Sequence, residues 1–343
     1  MNEHTVSKLD AGLRLDKWLK SRLPGLPFGL TQKLLRKGAI KINGKRAKAD
    51  ARVNPGDIVR VPELENATKA PIAHAPRPPR AEEATLLLDN IIYRDENIIA
   101  INKPQGLSTQ GGSKVFVSVD ALLDHVRFEA TERPKLVHRI DKDTSGVLIL
   151  ARNRLVAGNM MEAFQSKTIR KIYYAVVVGV PDLAEGRIEV KLSGKKAFGR
   201  IEKASVDEEN GQYALTYYKV LDKAAGKKLA WVMLMPVTGR MHQLRVHMEH
   251  IGHPILGDGK YGGRDAFIEG LGETMHLHSR RAILPDGTDI EAPFPKHITD
   301  TLKLFEFGYN QKELRREEKE MLEQLENEPP VKQHKLRTKR KPA

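Results

Sequence analysis

The chain has 343 residues, 40% of them apolar, no cysteine and a formal net charge of +14. This length and composition allow one large or two unequal domains with a proper core, and no apolar run of about 18 residues exists to span a membrane. The absence of cysteine excludes disulfides and cysteine-based zinc sites and fits a reducing cytosol.

Met1 to Asp10 contains Glu3 and Asp10 but no apolar stretch. It reads neither as a secretory signal nor as a transit peptide, and a cytoplasmic protein is expected. From Arg14 to Leu23, Leu15, Trp18, Leu19 and Leu23 recur at helical spacing, and Pro24 and Pro27 break that helix. Leu30, Leu34 and Leu35 mark a second helix, stopped by Gly38. Ala39 to Lys45 alternates as a strand and carries the turn pair Asn43-Gly44. Pro55-Gly56-Asp57 is another turn, before a strand from Ile58 to Val61. This small N-terminal α/β unit is strongly basic, with 14 Lys and Arg against 5 Asp and Glu over Met1–Arg60. Lys33, Arg36, Lys37, Lys41, Lys45, Arg46 and Lys48 gather on the second helix and the hairpin, as in a phosphate-seeking surface. A merely solvated charged face has the same composition.

Glu63 to Glu83 reads as an extended linker because of Pro71, Pro76, Pro78 and Pro79. Patterning resumes near Leu86. Ile91-Ile92-Tyr93 and Ile98 to Asn102 predict a hairpin, and Val119–Phe128 and Asn153–Phe164 predict helices. Lys171–Val180, Gly211–Val220 and Trp231–Pro236 predict strands. The irregular order points to an α+β fold with a mixed, largely antiparallel sheet and flanking helices. Gln311 to Glu326 reads as a charged helix with a thin apolar stripe, ended by Pro329-Pro330. Val331–Ala343 is a basic tail, with 6 cations and no acid. The middle of the chain is nearly neutral, and no internal repeat is found. The expected segments are 1–62, a linker at 63–85, a catalytic domain at 86–309, and the charged helix and tail at 310–343.

Two segments are dense in reactive side chains. His138-Arg139-Ile140-Asp141-Lys142-Asp143-Thr144-Ser145-Gly146 is a polar knot between apolar, strand-like residues, where a sheet enzyme places a catalytic loop. Asp141, Thr144 and Ser145 equally suit a turn held by side-chain hydrogen bonds. His138, Asp141 and Ser145 match a hydrolase triad in composition only, without a GxSxG elbow. Pro236 to Gly263 holds Arg240, Arg245, Lys260 and a run of histidines. His247, His250 and His253 recur every three residues, yet no HExxH or carboxylate at ligand spacing accompanies them, so no metal is expected. A polar, glycine-rich surface that meets RNA phosphates or orders loops fits better. Gly257 to Lys260 is not a phosphate loop.

The knot HRIDKDTSG resembles the HRLDxxTSG signature of the RluA-type family of pseudouridine synthases, with Ile140 in place of leucine. Arg170 to Gly179, RKIYYAVVVG, resembles the family's tyrosine-bearing strand, and Pro236 to Gly263 its arginine and histidine block. The likeness runs from Leu86 to about Leu304. RLDKWLKSRL through QKLLRKGAIKINGKRA resembles the RNA-binding module of ribosomal protein S-four. Gln110 stands where histidine is common in the family.

The resemblance implies an isomerase that breaks the bond from ribose to the uracil nitrogen, turns the base and rejoins it through carbon five. No cofactor or metal is implied. Asp141 maps onto the nucleophile and Arg245 onto the arginine that keeps it charged. Tyr173 maps onto the aromatic residue that stacks on uracil and moves a proton. Leu277 maps onto an apolar floor, and Arg139 onto the residue that fills the space left when the uridine is flipped out. His138, Thr144, Arg240 and His242 are further substrate-binding candidates. Arg14, Lys33, Arg36, Lys37, Lys41, Lys45 and Arg46 are the RNA-binding candidates of the N-terminal module. The combination most resembles the bacterial subgroup, RluC-like, that acts on large-subunit (23S) ribosomal RNA. Transfer RNA is the alternative substrate, and an RNA-binding ribosome-assembly factor the alternative class. No obligatory protein partner is evident.

Overall fold

The computed structural model describes residues 2–7, 10–23, 26, 28–62, 81–111, 117–197, 200–308 and 310–327. The expected breaks at Pro24 and Pro27, most of the linker, and Pro329-Pro330 with the basic tail lie outside the described residues. The chain divides into two compact units, Met1–Ala75 and Pro76–Ala343.

The first unit contains β1 (Asn2–Thr5), α1 (Leu15–Arg22), α2 (Phe28–Lys37), β2 (Lys41–Ile42), β3 (Lys45–Arg46) and β4 (Ile58–Val61). Leu15, Trp18 and Leu19 share one face of α1 and are fully buried against Ile40, Val53 and Val59. Gly38 ends α2 at φ +70, a left-handed position, and the Ala39 N–H reaches back to the Leu34 carbonyl at 2.9 Å. Asn43 and Gly44, both at positive φ, make the tight turn between β2 and β3. The strand order is β1-β4-β2-β3. β1 has no sequence signal because it is an exposed polar edge.

The second unit opens with a short 3-10 turn at Ala81–Ala84, inside the expected linker, and α3 (Thr85–Leu88). Then come β5 (Ile91–Arg94), β6 (Ile98–Lys103), α4 (Val119–Leu122), β7 (Lys135–Leu136), β8 (Ser145–Ala151), α5 (Arg154–Gln165) and β9 (Arg170–Val178). β10 (Glu185–Ala197), β11 (Arg200–Val206), β12 (Gln212–Ala224), β13 (Leu229–Pro236) and α6 (Gln243–His250) follow. The described part ends with β14 (Leu277–Ile283), β15 (Asp289–Glu291), α7 (Lys296–Leu304) and α8 (Gln311–Asn327). The sheet runs β11-β10-β12-β13-β9-β14-β8-β6-β5, with β15 on β14 and β7 on β8. Among the described residues the pairings are antiparallel except β14 with β8, so the α+β, largely antiparallel reading holds.

The sheet buries both faces around β9. Ile172, Tyr174 and Val176 pack with Trp231 and with Ile298, Leu302, Leu314 and Met321 of α7 and α8. Tyr173, Ala175 and Val177 face the opposite way, with Leu244 and Met248 of α6. Two covered faces explain why this strand reads as a continuous apolar run. The boundary drawn from sequence at 309/310 falls inside this unit: α8 contributes Leu314 and Met321 to the core, and Glu318, 3% exposed, accepts the Tyr174 hydroxyl at 2.8 Å.

Several elements differ from expectation. The helix predicted over Val119–Phe128 is α4 followed by a 3-10 turn, Leu123–Val126, and Phe128 has φ +51. Pro236 to Gly263, expected as a polar, glycine-rich surface, is divided: Arg240, Glu249, His250, Gly259 and Lys260 are exposed, while its middle turns inward. α6 lies within it, and Gln243 to Met248 are all buried. The segment's buried polar residues, Gln243, Arg245 and His247 among them, serve contacts inside the fold, while Arg240 and Lys260 stay at the surface.

Candidate active site

The Asp141 loop joins β7 to β8, and its far end is pinned by backbone contact. Ser145 and Gly146 pair in parallel with His278 and Ser279 of β14. Gly146 has φ +108, and a Cβ there would lie 2.1 Å from the Ser279 carbonyl oxygen, so no other residue fits. From below, the fully buried Lys103 ammonium donates to the carbonyls of Pro104, Leu107 and Lys142 at 2.9, 2.9 and 3.1 Å. Burial pulls this lysine down to about 7, with Asp143 and Asp141 opposing. Thr109 donates to the Ile140 carbonyl at 2.7 Å. The turn reading and the functional reading are compatible: the Thr144 N–H bonds the Asp141 carbonyl at 3.2 Å, which leaves the carboxylate free.

That carboxylate is 26% exposed and lines a cavity of about 850 Å³, at the large end of the roughly 300–1,000 Å³ usual for ligand pockets. Arg245, only 6% exposed, stands on α6 with Nη1 at 3.5 Å from Asp141 Oδ2. Its other nitrogens grip Asp258 in a bidentate pair at 2.7 and 2.6 Å, and its guanidinium lies 4.9 Å from the Tyr261 ring centre. Burial alone would pull Arg245 down, but the bonds and charge of Asp258, with Asp141 behind them, hold it above its ordinary value. Asp258 thus fixes the arginine that faces Asp141.

His242 supplies a second line of support. It precedes α6 at φ +54, and its Nε2 lies 3.8 Å from Asp141 Oδ1. Its Nδ1 lies 2.6 Å from the Tyr261 hydroxyl, which accepts the Ala204 N–H at 3.0 Å. The arrangement that satisfies every group has Tyr261 donating to Nδ1. The neutral ring then carries its proton on Nε2, towards Asp141. Burial lowers the His242 pKa and so favours that neutral form, aided by Arg245 and Lys260 and opposed by Asp141 and Asp258. Buried Gln243 holds the preceding loop. Its Oε1 accepts from Thr238 and from the Arg240 N–H, and its Nε2 donates to the Leu215 carbonyl and the Thr216 hydroxyl.

Tyr173 and Leu277 line the same cavity, 9% and 2% exposed. Burial pushes the Tyr173 phenol up to about 12, so it keeps its proton at neutral pH. Arg139, Thr144, Arg240 and His138 also line the cavity. His138, however, is tied to the scaffold. Its Nε2 accepts the Ile149 N–H at 2.8 Å, its ring stacks on Phe164, and burial holds it neutral at about 3. Ser145 pairs with His278 at 2.9 Å, so His138, Asp141 and Ser145 do not form a triad. His247, His250 and His253 also separate. His247 is fully buried, His250 is exposed, and His253 Nδ1 donates to the Val178 carbonyl at 3.2 Å.

In the N-terminal unit, Lys33, Arg36, Lys37 and Lys45 are exposed, with Lys41 half-buried beside them. Arg46 donates to the Arg36 carbonyl near the end of α2, and its stem packs on Gly38. Arg14 differs from the rest, because Asp16 already neutralises it through bonds at 3.2 and 2.8 Å.

Sequence reasoning missed Lys103, Asp258 and Tyr261. The signal was the glycine pattern of Gly257-Asp258-Gly259-Lys260-Tyr261-Gly262, read only as a failed phosphate loop. A Cβ at Gly257 would meet the Thr274 carbonyl oxygen at 2.3 Å, so this glycine marks a close backbone crossing.

With this geometry in view, the likenesses to known proteins agree. The RNA pseudouridylate synthase family matches residues 97–250, and the S4 domain family matches residues 13–59. The ribosomal large subunit pseudouridine synthase C of Rickettsia felis is 40% identical over 303 residues, covering 84% of this chain and 95% of that protein. That of Vibrio cholerae is 35% identical over 302 residues, covering 85% and 93%. Among solved structures, human RNA pseudouridylate synthase domain containing 4 superposes with a TM-score of 0.53 at 28% identity, covering 64% of this chain and 94% of that one. Human RNA pseudouridylate synthase domain containing 1 gives 0.53 at 26% identity, covering 70% and 95%. The chain belongs to the RNA pseudouridine synthases, isomerases that convert uridine to pseudouridine in RNA.

Proposed function

We propose that the chain isomerises uridine in large-subunit (23S) ribosomal RNA, with Asp141 as the acting carboxylate. The observation that carries this reading is a single accessible carboxylate, held by Arg245 and His242, that lines one cavity with Tyr173 and Leu277. The names of its relatives support the ribosomal target. Asp141 acts on the ribose of the flipped nucleotide while Tyr173 and Leu277 hold the uracil between a ring and an apolar floor. The base nitrogen leaves the sugar, the base turns, carbon five bonds to the sugar in its place and gives up its proton, and the freed nitrogen takes a proton, so atoms and charge balance. Arg139 sits on the rim, where it fills the space the uridine vacates. The N-terminal unit adds phosphate contacts through Lys33, Arg36, Lys37, Lys41 and Lys45, and the linker, residues 63–85, joins it to the catalytic domain in a cytoplasmic enzyme.

The test is pseudouridine mapping in large-subunit and transfer RNA from cells lacking the gene, complemented with wild type or Asp141→Asn. A position in 23S RNA should lose its pseudouridine and regain it with wild type only. Loss confined to transfer RNA would move the substrate there. Restoration by Asp141→Asn would remove Asp141 from the chemistry and favour an assembly role.

A further inference from the structure

The cavity beside Asp141 is charged well beyond what turning an uncharged base requires. Among the described residues lining it, the one carboxylate, Asp141, faces Arg139, Lys142, Lys167, Lys171, Arg240 and Arg245. Arg245 is neutralised by Asp258 and Asp141. Lys167, Lys171 and Arg240 have no carboxylate within ion-pairing distance among the described residues; Arg240 gives its Nε–H to the Tyr213 carbonyl at 3.0 Å. Lys171 stands two residues before Tyr173 on β9, so strand periodicity puts both on the cavity side. Its ammonium lies against Gly239, where an added Cβ would stand 3.9 Å from Nζ. Burial pulls this ammonium down to about 8, and no acid opposes the effect. Lys167 follows α5 at φ +63, a left-handed position that favours glycine, yet a lysine occupies it. Burial, and then the charge of Arg240, lower its pKa, so these two cations repel each other across the cavity wall. Neighbouring cations held together without an acid make a site complementary to an anion.

We propose that Lys171, Lys167 and Arg240 form a phosphate subsite that takes a backbone phosphate adjoining the target uridine. The proposal rests on the reading that Asp141 faces that uridine. During the reaction the uracil is detached from its sugar and must turn. A ribose anchored through its phosphate stays opposite Asp141 meanwhile, and two ammonium groups with a planar guanidinium supply charge-assisted bonds for that anchor.

The experiment uses the full-length enzyme and a fragment of large-subunit RNA containing a uridine that it converts. The fragment is made with ordinary linkages, or with an uncharged methylphosphonate on the 5′ or the 3′ side of that uridine. Lys171→Met should raise the half-saturating concentration in single turnover by about 10- to 100-fold, more than it lowers the saturating rate. Lys171→Arg should recover most of the loss. One of the two methylphosphonates should weaken wild type by a similar factor and add little to Lys171→Met, which identifies the phosphate. Folded Lys171→Met that binds within twofold of wild type, or losses that multiply at both linkages, would overturn the subsite. If Lys171→Met does not fold, Lys167→Gln decides by the same comparison. Binding of these RNAs by Asp141→Asn protein needs no turnover, so failure of the subsite and failure of the Asp141 reading are told apart.

Discussion

Asp258 should be indispensable although it does not itself face the cavity. Asp258→Asn keeps the shape but removes the counter-charge of Arg245, and only one of the two bonds at 2.7 and 2.6 Å can be replaced. The side chains are 6% and 1% exposed. Breaking such a buried pair typically costs about 3–5 kcal/mol. Asp141, 3.5 Å away, retains part of the compensation, so the lower figure, about 3 kcal/mol, is expected. A domain stable by roughly 5–15 kcal/mol survives that loss. With a urea slope of about 3 kcal/mol per molar, the midpoint should fall by roughly 1 M. The chain has two tryptophans, Trp18 and Trp231, one in each unit, so Trp231 fluorescence in a Trp18→Phe background reports the catalytic unit alone. The loosened guanidinium should also cost about 100-fold in single-turnover rate, the usual consequence of a roughly 1 Å misplacement. The discriminating variant is Asp258→Asn with Arg245→Met. Replacing both charges removes the unpaired cation, so stability should return while activity stays lost. A single variant with the wild-type midpoint, or a double variant no more stable than the single, would refute the reasoning.

Tyr261→Phe should slow single turnover by freeing His242, and its effect should not add to that of His242→Asn; independent, multiplying losses would show that Tyr261 does not act through His242. Acid should destabilise the catalytic unit through His247, His276 and His278, which burial holds at about 4, 4 and 3. Their folded pKa values lie below the unfolded value of about 6.5, so stability is full above that pH. It falls by about 1.4 kcal/mol per pH unit per residue as pH drops towards 4, and an unchanged urea midpoint between pH 7 and 5 would contradict this. Removing residues 1–62 should weaken RNA binding and flatten its salt dependence while changing the saturating rate much less. Within that unit Lys37→Ala should matter more than Arg14→Ala, because Asp16 already pairs with Arg14; equal effects in filter binding at two salt concentrations would remove the distinction.

Local chemistry in the sequence determined much of this protein. Leu15, Trp18 and Leu19, the Asn43-Gly44 turn, the helix from about Asn153 to Phe164, and the stripe of α8 were legible because each depends on neighbours three or four residues away. The signature around Asp141, with Tyr173 and Arg245, was legible as a family pattern, although spacing alone left a turn equally open. Elements whose burial is set by distant partners were not legible. α6 looks polar because Gln243, Arg245 and His247 are buried against strands and loops far along the chain, and the edge strand β1 has no apolar pattern to read. Tyr173 and Tyr174 are adjacent and chemically alike, yet the covered sheet sends one to the cavity and the other to Glu318. Only the tertiary structure brings Asp258 and Tyr261 to Arg245 and His242, and Lys103 beneath the Asp141 loop. Those contacts are made by hydrogen-bond geometry and charge across chain separations that no local pattern encodes.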